Sequence, residues 1–349
     1  MMTEKLYLVR TGCGRRLERG LELALQDLPA EELAAGQLAA NGREKRLVFA
    51  VHVDEFGPDG AFLQLLRLLR QNPGCLRGSF GVIVVDGEGE LYTKQAAREL
   101  ALAANLAGCA FPGKPLVEGT GSLYNQHILA SQLQKTWEET YFYQIRALIL
   151  RLRSFALPTF EKPRLLMLHA SDNLRSNTLW LGRRVLERLP ERFERREIAL
   201  QNGTIYDCRG CSYETCLHFA QSSTCFYGGA MSEQILPAIA ESDALLFLCP
   251  NYNDAVSANL TALFNRLTNL LVRQDLFNKY LFGIVVSGYS GSDLVAKQLL
   301  GAMCFNKTAI LPPEFCLMQT AHDAGSASHA EGIGEKLDRF AENISRLLA

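Results

Sequence analysis

The chain has 349 residues, with 36 basic and 37 acidic side chains and a formal net charge of -1. That balance, with 48% hydrophobic residues, is an ordinary globular composition and removes any global pull toward nucleic acid or an acidic membrane surface. At about 150 residues per domain the length predicts two or three domains, each able to bury a core without disulfide staples.

The opening stretch "MMTEKLYLVRTGCGRRLERG" has no apolar run long enough for a signal peptide. No stretch approaches the roughly 20 apolar residues of a membrane-spanning helix. A cytoplasmic location is therefore expected, where ten cysteines argue against a disulfide framework. Arg15, Arg16 and Arg19 read as a solvated basic helix face, too few for nucleic acid. "RLVFAVHVDEFGPDGAFLQLLRLL" (Arg46–Leu69) predicts a strand, a polar turn and a helix. "FGVIVVDGEGELYTKQAARELALAANLAGCAFPGKPLVEGTGS" (Phe80–Ser122) predicts a strand, a glycine turn, a helix, a proline-bearing link and a second strand. Between the early helix and "FGVIVV" the chain is short, so at least one strand unit is expected to be missing. Leu123–Phe155 reads as one or two long helices, and Ala156–Pro163, with two prolines, as the linker.

The second half alternates more clearly. "RLLMLHA" (Arg164–Ala170) is a buried strand and Ser176–Leu189 an amphipathic helix with Leu179, Val185 and Leu189 on one face. "RREIAL" (Arg195–Leu200) is a second strand. A short helix over Ser232–Ser242 is expected to break near Pro237. "DALLFLCP" (Asp243–Pro250) is a third strand, stopped by its proline, and Ser257–Leu271 a strong amphipathic helix. Lys279–Gly288 is a fourth strand, Ser292–Phe305 a helix, Pro313–Gln319 a fifth strand and Gly334–Leu348 the last helix. Strands alternating with helices predict a parallel sheet covered on both faces, and five strands fit the flavodoxin-like doubly wound order. The expected organisation is a flavodoxin-like domain over 164–349, preceded by a degenerate α/β domain of similar type over 1–155. Laying Arg46–Leu69 beside Arg164–Leu186, and Phe80–Ser122 beside Phe282–Ala321, suggests an internal duplication.

In such a sheet the loops at the carboxyl ends of the strands hold the ligand. The first, "SDNLRSNT" (Ser171–Thr178), opens a helix whose free N–H groups and partial positive charge suit an anion. Ser171, Ser176 and Thr178 add hydroxyls, Asn177 an amide and Arg175 a full charge. This set suits a phosphate monoester, and the missing glycines argue against a GxGxxG pyrophosphate turn. Ordinary helix capping explains the same residue types. "CPNYNDAVSAN" (Cys249–Asn259) and "SGYSGSD" (Ser287–Asp293) follow the third and fourth strands and should reach the same rim. His169, at a strand end, reads as a packed, hydrogen-bonded residue, and Cys249, Cys304 and Cys316 read as core.

Ser171–Thr178, Pro250–Tyr252 after an apolar strand, "VSANLTALFNR" (Val256–Arg266) and Ser287–Gly291 together resemble the NAD(P)H-dependent FMN reductases and iron-sulfur flavoproteins of the flavodoxin-like superfamily, over about Arg164 to Thr320. The resemblance implies that Ser171, Arg175, Ser176, Asn177 and Thr178 hold the phosphate of FMN. It implies that Pro250, Asn251, Tyr252 and Asn253 line the isoalloxazine, with Ser287, Gly288 and Tyr289 on its other side. Two departures stand out: Ala170 where the family has glycine, and a wider loop carrying Asn253 and Asp254.

"YDCRGCSYETC" (Tyr206–Cys216) and Cys225 space four cysteines as C-x2-C-x4-C-x8-C, at Cys208, Cys211, Cys216 and Cys225. Four thiolates are what a [4Fe-4S] cluster or a tetrahedral zinc requires. Iron-sulfur flavoproteins carry their cluster in this place with a tighter spacing, and buried packing of small residues is the third reading.

The expected activity is that of an FMN-dependent NAD(P)H oxidoreductase passing electrons to a small acceptor or an electron-transfer partner. The cofactor supplies the reactive atom, so no catalytic side chain is named. A non-enzymatic iron-sulfur flavoprotein electron carrier and a zinc-stabilised binding module are the alternatives. The resemblance also implies a flavin near a subunit interface, hence a homo-oligomer or a first domain standing in for a second subunit. The first domain's loop Val53–Gly60 carries Asp54, Glu55 and Asp59, which would repel a phosphate, so no FMN is expected there.

Overall fold

The computed structural model describes residues 5–171, 175–222 and 224–349. The chain divides into two compact units, Met1–Ala156 and Leu157–Ala349. No described helix is long and apolar enough to cross a membrane.

The first unit runs β1 (Leu6–Thr11), α1 (Arg15–Leu25), β2 (Ala30–Glu32), α2 (Leu38–Asn41), β3 (Arg46–Asp54), β4 (Gly57–Pro58), α3 (Gly60–Gln71), β5 (Phe80–Gly87), α4 (Thr93–Leu106), β6 (Leu116–Gly119), α5 (His127–Leu133) and α6 (Trp137–Ser154). Its parallel strands lie in the order β2-β1-β3-β5-β6, and β4 folds back antiparallel onto β3. One core lies between the sheet and the pair α1 and α6, where Leu17, Leu21, Tyr141, Ile145 and Ile149 are buried against Val48, Ala50, Val82 and Val84. Each such aliphatic side chain contributes about 1.5–3 kcal/mol by leaving water. Helix α6 starts cleanly because the Thr136 hydroxyl accepts from Glu139 N at 3.2 Å while Glu139 Oε2 accepts from Thr136 N at 2.9 Å.

The second unit runs β7 (Arg164–His169), α7 (Asn177–Arg188), β8 (Glu194–Ala199), α8 (Tyr213–Ala220), α9 (Leu236–Glu241), β9 (Ala244–Pro250), α10 (Ala258–Arg266), α11 (Thr268–Leu271), β10 (Tyr280–Ser287), α12 (Ser292–Leu300), β11 (Cys316–Thr320) and α13 (Ile333–Leu348). All five strands are parallel, in the order β11-β10-β9-β7-β8. This is the flavodoxin-like order expected of it. Strands β9 and β10 are central and almost wholly buried, which is why they read as unbroken apolar runs. The edge strand β8 instead exposes Glu194, Arg195, Arg196 and Glu197, charges that discourage pairing with another chain. Helix α7 lies unusually close to the sheet: a Cβ on Gly182 would stand 2.7 Å from Met167 Sδ and 2.8 Å from Leu248.

Three expectations are corrected. No strand unit is missing from the first unit, because its first strand is Leu6–Thr11 and Arg46–Asp54 is its third. Pro237 does not break its helix. The helix runs on through it: a wide π turn over Met231–Ile235 precedes Pro237 and widens the helix where the proline lacks an N–H. Of the three arginines expected on a solvated face, Arg15 and Arg19 are exposed, whereas Arg16 turns inward with its side chain 20% exposed.

Candidate flavin site

The carboxyl ends of β7, β9, β10 and β11 surround a cavity of about 760 Å³. That volume lies within the range of pockets that enclose a cofactor. Two helices begin at its wall. Ser176, Asn177 and Thr178 bring the start of α7, and Ser257, Ala258 and Asn259 the start of α10. Each start presents unpaired N–H groups and about half a positive charge, so the cavity favours an anion before any side chain is counted.

The first loop adds a chain of hydroxyls. Ser171 Oγ lies 2.9 Å from Ser176 Oγ, which lies 3.0 Å from Thr178 Oγ1. Ser176 also caps α7, accepting from Leu179 N at 3.3 Å. Capping and ligand binding are thus compatible here: one oxygen ends the helix and stands at the cavity wall. Ser171 and Arg175 line the cavity as well, while residues 172–174 of the expected cradle lie outside the described residues.

Behind this loop His169 is buried, with Nδ1 accepting from Ser171 N at 3.2 Å and Nε2 3.3 Å from Glu197 Oε1. Burial pushes His169 below its ordinary value of 6.5, with Glu197 opposing. The unfolded chain binds the proton near 6.5 and the folded chain only at lower pH. The stability this group contributes is therefore whole above about 6.5 and is lost as the pH falls from there through the folded value. Melting of the flavin-free protein should fall with acidification more steeply than that of His169→Asn, whose side chain can accept from Ser171 N but cannot titrate. Parallel curves would remove His169 from this role.

Not every residue expected at the flavin turns toward it. Asn177 lines the cavity, but its Nδ2 donates to Asp323 O at 2.9 Å and its Oδ1 accepts from Ala327 N at 3.1 Å. It fastens α7 to the loop after β11. Pro250, Asn251, Tyr252 and Gly288 line the cavity, whereas Asn253, Ser287 and Tyr289 do not contribute to its wall. Ser287 is fully buried and pairs with Ser292 Oγ at 2.8 Å. Tyr289 is 77% exposed, and its hydroxyl lies 3.2 Å from His322 Nε2.

Asn253 and Asp254 take left-handed backbone, φ 55° and 57°, as the two central residues of a tight turn closed by Tyr252 and Ala255. Asn and Asp tolerate that region best among residues with a side chain. The turn is locked from outside. Asn251 Nδ2 lies 3.1 Å from Asp254 Oδ1, 3.1 Å from Ser287 Oγ and 3.0 Å from Ser290 O, and Gln298 Nε2 donates to Asp254 O at 2.7 Å. Gly291 completes the lock, since its φ is +84° and a Cβ there would stand 2.2 Å from Asp254 Oδ1. The third- and fourth-strand loops are therefore one rigid wall.

Asn202, Val256–Asn259, Ala321, His322 and Ala324 also line the cavity and were not singled out as flavin contacts. The signal available for Asn259 was its place at a helix start. Nothing local marked His322, because the loop after the fifth strand reads only as polar. Two buried polar atoms at this rim, Asn251 Oδ1 and Ser257 Oγ, have no partner within the described protein. Unsatisfied buried groups in a cavity wall are what a polar ligand would complete.

The four cysteines meet on one wall. Cys208, Cys211, Cys216 and Cys225 all line a second cavity of about 230 Å³ and all are free thiols. Partial burial, and then the neighbouring thiols, push Cys216 above its ordinary value. Among the described residues no three metal-ligating side chains stand where they could hold an ion, so the expected four-cysteine metal site is not a formed coordination shell. The buried Arg266 ties the segment at both ends, through Tyr206 O at 3.3 Å and Gly228 O at 3.0 Å. Cys249, Cys304 and Cys316 are core residues, and burial pushes Cys249 up to about 12.

No curated protein matches the chain. Solved structures similar to it include RosB with a bound intermediate, 8-demethyl-8-formylriboflavin-5'-phosphate (16% identity, TM-score 0.43, 53% of this chain and 79% of that one). Others are an FMN-dependent NADH-azoreductase from Bacillus anthracis str. Ames Ancestor in complex with FMN (13%, 0.36, 54% and 100%) and the apo form of the NADH:FMN oxidoreductase EMOB (13%, 0.36, 54% and 90%). The sequence pattern described as NADPH-dependent FMN reductase matches residues 163–323. Those residues, which hold the whole of the cavity wall but one, carry the match of the second unit to the NADPH-dependent FMN reductase family.

Proposed function

We propose that the second unit binds FMN in the 760 Å³ cavity and that the chain passes electrons from NAD(P)H to a small acceptor or an electron-transfer partner. The observation that carries the proposal is the meeting of two helix starts, a run of three hydroxyls and two unsatisfied polar atoms on one wall. The donor set fits a phosphate ester better than a carbonyl or an amine, because it combines N–H groups, hydroxyls and the Arg175 cation.

When bound, the flavin supplies hydride and electron chemistry at its own ring. The protein's part is positional. Ser171, Ser176 and Thr178 hold the anionic tail at the start of α7, with Arg175 adding charge. The locked turn at Asn253 and Asp254 keeps Pro250, Asn251 and Tyr252 in place as a wall, and Tyr252, 63% exposed, leaves one side of the site open to a second substrate.

The cysteines add a second component. Four thiols on one cavity suit a thiolate-bound metal, iron-sulfur or zinc, by number and softness, although no shell stands formed. Helix α10 spans the distance between the sites: Asn259 lines the first cavity and Asn265 the second, about 9 Å further along at 1.5 Å per residue.

The test is an anaerobic absorption spectrum of purified protein before and after NADPH or NADH. A flavin spectrum that bleaches is expected. Protein that is colourless and whose melting does not respond to added FMN overturns the proposal. Iron, labile sulfide and zinc analysis of the same sample decides the cysteine component.

A further inference from the structure

The first sheet has a carboxyl-end rim of its own, and the ladders equate it with the flavin rim residue by residue. Phe80 pairs with Arg46 as Tyr280 pairs with Ala244. Ile83 pairs with Leu116 as Gly283 pairs with Cys316. Asp86, Gly87, Thr120 and Gly121 therefore hold the stations of Val286, Ser287, Thr320 and Ala321. Val286 and Ala321 line the flavin cavity.

In the first unit those stations are filled by Arg16. Its Nε donates to Asp86 Oδ1 at 2.7 Å, Nη2 donates to Gly87 O and Thr120 O at 2.9 Å, and Nη1 donates to Gly121 O at 3.2 Å. The guanidinium carbon stands 5.8 Å from the centre of the fully buried Tyr141 ring. Asp86 is only 5% exposed, and its second oxygen faces His52 Nδ1 at 4.0 Å. The first loop is short as well. Only Gly12, Cys13 and Gly14 separate β1 from α1, whereas Ala170 to Ser176 separates β7 from α7.

We propose that the rim of the first sheet is a cation site occupied in cis: the Asp86 carboxylate and three backbone carbonyls bind a planar guanidinium, and Arg16 supplies it. Five rigid donors in one plane match four convergent acceptors, a geometry that an ammonium ion cannot reproduce. The Asp86 carboxyl is buried, and burial pushes it above its ordinary value even with Arg16 beside it, so an empty site would force it either to stand charged without a partner or to take up a proton. This occupancy fills the space on the first rim that the stations of Val286 and Ala321 leave open in the second unit, and so closes that rim to a flavin. The expected flavin content is one per chain.

The experiment uses the full chain with Arg16→Ala. The lowest melting transition should fall by about 10 °C. Guanidinium chloride at low millimolar concentration should recover at least half of that fall, and methylguanidinium likewise. Sodium chloride and tetramethylammonium chloride at equal ionic strength should recover none. Equal effects of all four salts overturn the proposal, as does a second flavin per wild-type chain. If Arg16→Ala does not fold, Arg16→Met/Asp86→Asn should fold and melt above Arg16→Met, because no lone carboxylate remains. A double variant no more stable than Arg16→Met overturns the cation site.

Discussion

Ser176→Asp should abolish flavin binding while leaving the flavin-free fold intact. Asp caps a helix as well as Ser does, and a carboxylate at a helix start is favoured by the dipole. The neighbouring Ser171 and Thr178 hydroxyls, within 3.0 Å of Ser176 Oγ, can both donate to the new carboxylate. Helix α7 therefore keeps its start. The proposed phosphate, in contrast, meets a like charge at about 4 Å, which at an effective dielectric of about 20 costs about 4 kcal/mol. The FMN dissociation constant should rise at least about a hundredfold in a fluorescence-quenching titration, with the melting temperature of the flavin-free protein within about 2 °C of wild type. Retained affinity would place the phosphate elsewhere. Lost affinity with a collapsed melting curve would show only that the cap was needed. Ser176→Ala separates the two, because it removes the cap without adding charge.

The strands of the second unit were legible because their burial is uniform. Ala244–Pro250 and Tyr280–Ser287 are central, covered on both faces, and so appear as continuous apolar runs. The first unit was read out of step for a local reason. Its first strand, Leu6–Thr11, carries Tyr7 and Arg10 at half-buried positions, and its second, Ala30–Glu32, is three exposed residues. Neither shows the pattern of a buried strand, so the strongest run, Arg46–Asp54, passed for the first when it is the third. The apparent gap in the chain followed from that slip. With the ladders in hand the two units repeat each other in strand order and in pairing register.

At the site, residue types were legible and side-chain directions were not. A βα loop rich in Ser, Asn and Gly announces a rim, but the same residues serve the ligand and the loop's own scaffold. Asn177 spends its polar atoms on a loop 144 to 150 residues away, and the Ser287 hydroxyl accepts from Asn251, 36 residues back on another loop. Long-range pairings of this kind leave no trace in local spacing. The cysteines show the converse. Their spacing brought them to one cavity, yet spacing does not fix whether thiols close around an ion. Arg16 looked like one of three equivalent surface arginines because its carboxylate lies 70 residues away.

Asn251→Asp should be the most damaging isosteric change in the second unit. The amide nitrogen of Asn251 faces three acceptors: the Asp254 carboxylate, the Ser287 hydroxyl and the Ser290 carbonyl. Replacing that NH2 by a carboxylate oxygen changes no volume but turns a donor into an anion. Ser287 Oγ can rotate to donate instead; Asp254 and the Ser290 carbonyl cannot. A carboxylate pair about 3 Å apart then stands where the left-handed turn at Asn253 and Asp254 depends on attraction. Gly291 leaves Asp254 no room to retreat in that direction, since even a Cβ there would overlap its oxygen. Losing two hydrogen bonds and gaining a like-charge contact at this partly exposed turn should cost about 2–3 kcal/mol, a fall of about 4–12 °C in the melting of a unit this size. Flavin affinity should fall with it, because Pro250 and Tyr252 ride on the same turn. Asn251→Ala, which removes the latch without adding charge, should lose less stability than Asn251→Asp despite the larger change in shape. The reverse ranking in thermal melts would mean that packing, not the donor to Asp254, holds the two loops together.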